Sequence, residues 1–224
     1  MFTQDFPRRL LDHLLARIQG LPFSGNEHDF TDSDRDAIVI DHNRIYEHKT
    51  IRFMSTTYDA QRLEESANPR THPDIMVLSH EDDESAFPYW HARIIGIYHF
   101  MVRQRIPGTA ELTPSSQMDV LFIRWFGMDS DDGQSGWGAK RMHKIGFLPD
   151  DDSQGPAFGF LDPNEVIRMV HLIPVFSTAR VNNLVSGRSM AIRDRHPDGE
   201  YPVYYVAMYV PVTSILCFLN SGLG

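Results

Sequence analysis

The segments "WHARIIGIYH" (90–99) and "DVLFIRWF" (119–126) constrain this chain more than any other feature. Both are rich in β-branched and aromatic residues and are bounded by polar or glycine-rich stretches, which is the signature of a strand. "AIVI" (37–40), "KTIRFMSTTY" (49–58), "IMVLS" (75–79) and "HKIGFL" (143–148) have the same texture. The separators "EDDESAFP", "RQRIPGTAELTPSSQ" and "GMDSDDGQSGWGAK" supply turns, and "ANPRTHPD" (67–74) is a turn because the residues before Pro69 and Pro73 are pushed away from helix. Short strands at this spacing predict an antiparallel barrel or sandwich.

The N-terminus has a different period. Leu10, Leu11, Leu14, Leu15 and Ile18 form one apolar stripe at helical spacing. Pro7 suits a first helical turn, and Gly20 followed by Pro22 ends the element, so a helix is expected over 7–19. Thr31 with Asp34 has the spacing of a capping box. "DPNEVIRM" (162–169) predicts one or two helical turns with Asp162 as N-cap, and "VHLIPVF" (170–176) a strand with an edge or bulge at Pro174.

At 224 residues the chain suits one large domain, or one domain with an extension, and 42% hydrophobic content is enough for a real core. The expected division is an N-terminal helical extension with the first strands (1–74), a β module (75–210) and an apolar tail (211–224). The single cysteine, Cys217, excludes a disulfide framework and a cysteine-based zinc finger. No long uncharged apolar run opens the chain, so neither a secretory signal nor a membrane span is expected, and the expected compartment is intracellular.

A formal net charge of −9 argues against a simple nucleic-acid clamp, because phosphate binding needs a cationic face. The acid is concentrated in "EDDE" (81–84), "DSDD" (129–132) and "DDD" (150–152), while Lys140, Arg141 and Lys144 gather into a basic patch. Direct nucleic-acid binding is therefore left open.

No catalytic residue, metal site or cofactor is expected. The closest histidine pairs, His42 with His48 and His72 with Asp74 beside it, lack the spacing of a helical zinc motif. No nucleophile elbow and no phosphate-binding glycine loop is present. The acidic runs could mimic the carboxylates of a two-metal phosphoryl-transfer site, but they fall in turns and not on rigid elements. The aromatics Tyr89, Trp90, Tyr98, Trp125 and Phe126 stand near the ends of strands, where small barrels can build a cage for methylated ammonium groups. Core packing is the competing role, since alternate residues of a strand face opposite sides.

Taken in order, "RIYEHKTIRFMSTTYDAQRLEESANPRTHPDIMVLS", "YWHARIIGIYH", "VLFIRWFG", "HKIGF" and "AFGFLDPNEVIRMVHLIPVF" resemble a block found in mushroom-forming fungi. That block resembles the C-terminal region of reading frames associated with Kyakuja-Dileera-Zisupton (KDZ) transposons, and the likeness spans roughly residues 6–210. It implies a transposon-derived protein, with a remnant of phosphoryl-transfer activity or an inactive fragment as alternatives. Residues 75–176 also resemble in rhythm a bromo-adjacent homology (BAH) module, on Trp90, Ala92, Arg93, Ile94, Arg124, Trp125 and Phe126. The second resemblance implies a β-barrel, a histone or other protein peptide as partner, and a nuclear location. From Pro211 the sequence "PVTSILCFLNSGLG" departs from the fungal block, as would follow from a gene model running into an intron, and it predicts a peripheral tail.

Overall fold

Two long strands carry the architecture: β6, Tyr89–Gln104, and β7, Ser116–Met128. They pair antiparallel from His91↔Phe126 to Val102↔Ser116, with one bulge between Ile94 and Gly96. A computed structural model describes residues 6–25, 27–56, 62–80, 88–106, 108–128, 141–149, 156–181 and 199–207. The remaining elements are helices α1 (Phe6–Ile18) and α2 (Asp32–Arg35) and strands β1 (Ile38–Ile40), β2 (Tyr46–His48), β3 (Ile51–Thr56), β4 (Arg62–Ala67) and β5 (Asp74–Leu78). After β7 come β8 (Lys144–Phe147), β9 (Phe158–Leu161), β10 (Val166–Met169), β11 (His171–Pro174) and β12 (Val203–Ala207).

Because β6 and β7 are longer than their neighbours, several short strands share their outer edges. On β6, β5 takes the first part, β2 the middle and β1 the end. On β7, β9 pairs with Leu121–Arg124 and β8 with Phe126–Met128. The order is β10-β5-β6-β7-β8-β12-β11, while β3 and β4 form a separate two-stranded ribbon. The expected mainly antiparallel β architecture with an N-terminal helix is present.

The expected barrel is not: the sheet is not closed, because its terminal strands β10 and β11 share no ladder. They are nonetheless consecutive in the chain, separated by Val170 alone, whose N–H donates to the Asp74 carbonyl at 2.9 Å. One continuous segment therefore pairs with β5 through its first half and with β12 through its second. The predicted helical turns at 162–169 shrink to a 3-10 turn at Pro163–Glu165, capped by Asp162 accepting from the Asn164 N–H, and the rest is β10. Val166 and Ile167 are β-branched, and the β5 edge is there to receive them.

Helix α1 buries Phe6, Leu10, Leu14 and Leu15 against Tyr98, Phe100, Val120, Phe122, Phe158 and Phe160. Each buried leucine contributes about 1.5–3 kcal/mol relative to exposure. Its end is closed by Leu21 N–H to Ala16 carbonyl and Gly20 N–H to Arg17 carbonyl, with Gly20 at φ +66°. That pair of bonds is a Schellman motif, and its left-handed position is why a glycine follows the helix. The Thr31–Asp34 capping box is reciprocal as expected. Just beyond it Arg35 grips buried Asp12 of α1 through two bonds of 2.7 and 3.0 Å, fixing the loop after the helix to the helix itself.

The opposite face of the sheet packs Ile75, Val77, Ala92, Ile94, Ile97, Leu121, Ile123 and Trp125 against Phe53 of the β3–β4 ribbon. A third cluster joins Phe126, Ile145, Leu172, Tyr204 and Val206 where β8, β12 and β11 pair. The N-terminal strands β1 and β2 are hydrogen-bonded into the main sheet along β6. Residues 211–224 lie outside the described residues.

Candidate functional site

Alternation along β7 sends Trp125 and Phe126 to opposite faces of the sheet. On the Phe126 face, Arg93 and Arg124 are cross-strand partners, both buried. Arg93 lies within 5.1–5.6 Å of the ring centres of Phe126, Phe147 and Tyr204. Its Nε and second terminal nitrogen donate to Asp74 at 2.7 and 3.2 Å, and its remaining nitrogen donates to Glu200 at 3.1 Å. Arg124 sits 4.9 Å from both Phe147 and Phe158, so Phe147 is a ring between two guanidiniums.

Burial alone would lower the Arg93 pKa, but the attraction of Asp74, Tyr204 and Glu200 outweighs it and raises it. Arg93 is thus a permanent cation. Burial raises the Tyr204 phenol and keeps it protonated, and its hydroxyl donates to Glu200 at 2.8 Å. His91, on the same face, is pushed down to about 4 by burial and by His143, and is neutral near pH 7.

On the Trp125 face the rings make a closed circuit. Phe23 stacks on Trp125 at 6.2 Å, Trp125 meets Trp90 edge-on at 6.0 Å, Trp90 meets His80 at 6.0 Å, and His80 returns to Phe23 at 6.2 Å. All lie in the range where aromatic pairs attract by quadrupole as well as by area. Trp125 is 6% exposed and forms the floor, Trp90 and Phe23 are half-buried, and His80 is exposed. Gly25 makes the closure possible: at φ +95° it rests against the Trp90 ring, where an added Cβ would stand 2.9 Å from two ring carbons. A side chain there would push the loop carrying Phe23 off the tryptophan. The Trp125 indole nitrogen is buried with no hydrogen-bond partner among the described residues.

Of the five aromatics singled out in the sequence, only Trp90 and Trp125 come together. Tyr98 is buried in the cluster under α1, and Phe126 stacks on Phe147 at 4.4 Å in the third cluster. Tyr89 is half-buried at the start of β6, opposite Leu78. Phe23 and His80 complete the circuit from loops that carry no periodicity, and only the nearby glycine and proline turns hinted that those loops fold back on the sheet. Of the basic patch, Arg141 is exposed and Lys144 lies on β8, while Lys140 lies outside the described residues. The acidic runs at 81–84, 129–132 and 150–152 are also outside them. Among the described residues no three His, Cys, Asp or Glu side chains converge as metal ligands, and no helix is long and apolar enough to cross a membrane.

Comparison of the chain with protein-family models, with curated proteins and with solved structures found no match.

Proposed function

We propose that the chain is a non-catalytic interaction module that receives a cationic side chain, a methylated ammonium of a partner peptide, against Phe23, His80, Trp90 and Trp125. The observation that carries this reading is the closed circuit of four rings, buried at Trp125 and reaching the surface through Trp90 and His80. Indole and phenyl faces attract a cation placed within about 6 Å, and a methylated ammonium sheds water more easily than a bare one. The chain exploits the same attraction internally, at Arg93. On this reading the open sheet is a BAH-like module of a transposon-derived protein, its partner is a histone or other protein tail, and its compartment is the nucleus.

The test is a calorimetric and tryptophan-fluorescence titration with trimethyllysine peptides of varied flanking sequence. Unmodified lysine and the neutral tert-butyl isostere of trimethyllysine serve as controls. Saturable quenching by trimethyllysine peptides, at least tenfold weaker for the neutral isostere and absent in Trp90→Ala, is expected. Equal binding of the charged and neutral forms, or no binding of either, would sink the reading.

A further inference from the structure

Phe23 also forms a wall of a separate cavity of about 290 Å³, bounded by the C-terminal half of α1, the start of β7 and the turn after β9. Its size is at the small end of ligand pockets and suits one small molecule. Two observations mark it as a binding site. His13, on α1, lines it with a ring that is 5% exposed, and its Nε2 has no hydrogen-bond partner among the described residues. Buried polar atoms are almost always satisfied, so this nitrogen marks an unfilled polar position in the wall beside the cavity. Burial and the neighbouring Arg17 push the His13 pKa down to about 3, so the ring is neutral and offers one donor and one acceptor.

The second observation is the charge on the walls. Arg17 is committed, pairing with Asp162 at 2.6 Å and donating to the Asp119 carbonyl at 2.5 Å. Glu27 is committed too: it accepts Arg9 at 2.6 Å through one oxygen and the Phe160 N–H at 2.7 Å through the other. Glu165 is a third carboxylate on the walls, half-buried and attracted to Arg17, so Glu27, Asp162 and Glu165 stand against the single guanidinium of Arg17 among the lining residues. An anion entering here would meet more carboxylates than cations, whereas a cation would meet an excess of negative charge. Phe23 and Met118 supply the apolar wall.

We propose that this cavity binds a small organic cation. Its ammonium or guanidinium group lies against Glu165 and its apolar body against Phe23, Met118 and the His13 ring. The site does not depend on the peptide-binding reading, from which it borrows only one face of Phe23.

Benzylamine, benzyl alcohol and benzoate are matched probes, followed by NMR shifts of the His13 ring and by calorimetry on the full chain. Benzylamine is expected to saturate in the low millimolar range, benzyl alcohol to bind at least fivefold more weakly, and benzoate not to saturate. Glu165→Gln should weaken benzylamine at least fivefold. Leu21→Trp, at the exposed rim, should block it, and both substitutions avoid the core. Three outcomes would overturn the proposal: no saturable benzylamine binding, equal binding of all three probes, or full benzylamine affinity in Glu165→Gln.

Discussion

Two groups of aromatic rings start from adjacent residues of one strand and have opposite chemistry. Around Phe126 the rings of Phe147 and Tyr204 enclose Arg93, a cation the chain supplies itself and holds with Asp74 and Glu200. Around Trp125 the rings of Phe23, Trp90 and His80 close on one another, and one of them is exposed. The first group is an internal fastener. Its guest is covalently present, and its cost of desolvation is offset by two carboxylates. The second presents similar surfaces toward solvent. The difference teaches that aromatic residues near strand ends do not by themselves define a binding cage, and that the position of the cation decides.

The sharpest way to break the comparison is to remove the internal guest. Arg93→Met should cost about 3–5 kcal/mol in urea unfolding, because it leaves Asp74 and Glu200 without their cation in a buried site. The double change Arg93→Met with Asp74→Leu should recover part of that loss. If the single mutant unfolds at the same urea concentration as the parent, the Phe126 group is not a fastener. On the other face, Trp125→Ala should also cost about 3–5 kcal/mol, as truncation of a buried aromatic does. An unchanged melting temperature would place that ring outside the core.

Acid should weaken the face of the sheet that carries α1 and Phe126. His13 and His91 have folded pKa values lowered to about 3 and about 4, below the ordinary value of 6.5. The unfolded chain therefore binds more protons than the folded one between those limits. Stability is full above about pH 6.5 and falls as the pH drops toward the folded values, by about 1.4 kcal/mol per pH unit for each histidine. Unfolding curves from pH 7 to 4 check this, and His91→Gln should flatten the slope by one proton.

The smaller effects separate the rim of the ring circuit from its floor. Trp90→Ala, at a half-buried ring, should cost about 2 kcal/mol, roughly half the loss at a full core site. His80→Ala, at an exposed one, should change stability by less than about 0.5 kcal/mol. A His80 effect as large as that of Trp125 would mean that the circuit is core throughout.

What the sequence revealed follows from where its periodicity comes from. Helix α1 was legible because its leucines face one core, and β6 and β7 because their apolar runs are long. Strand β4, "RLEESA", was not, because it is polar and exists through its ladder with β3. Strand β10 was read as helical because Asp162 and Pro163 are true helix-start signals that here produce only a single 3-10 turn. The same limit applies to the site. Trp90 and Trp125 sit on strands whose alternation could be counted, whereas Phe23 and His80 are brought in by loops, and the pairing of Arg93 with Asp74 depends on a register set only in the folded sheet.

The single residue between β10 and β11 has a dynamic consequence. Since both ends of the strand order belong to one uninterrupted stretch of chain, neither edge can peel away or slip by two residues without pulling on the other. Hydrogen exchange should then find the amides of 166–169 and of 171–174 opening together, as one cooperative unit whose protection is set by whichever of the two ladders is stronger.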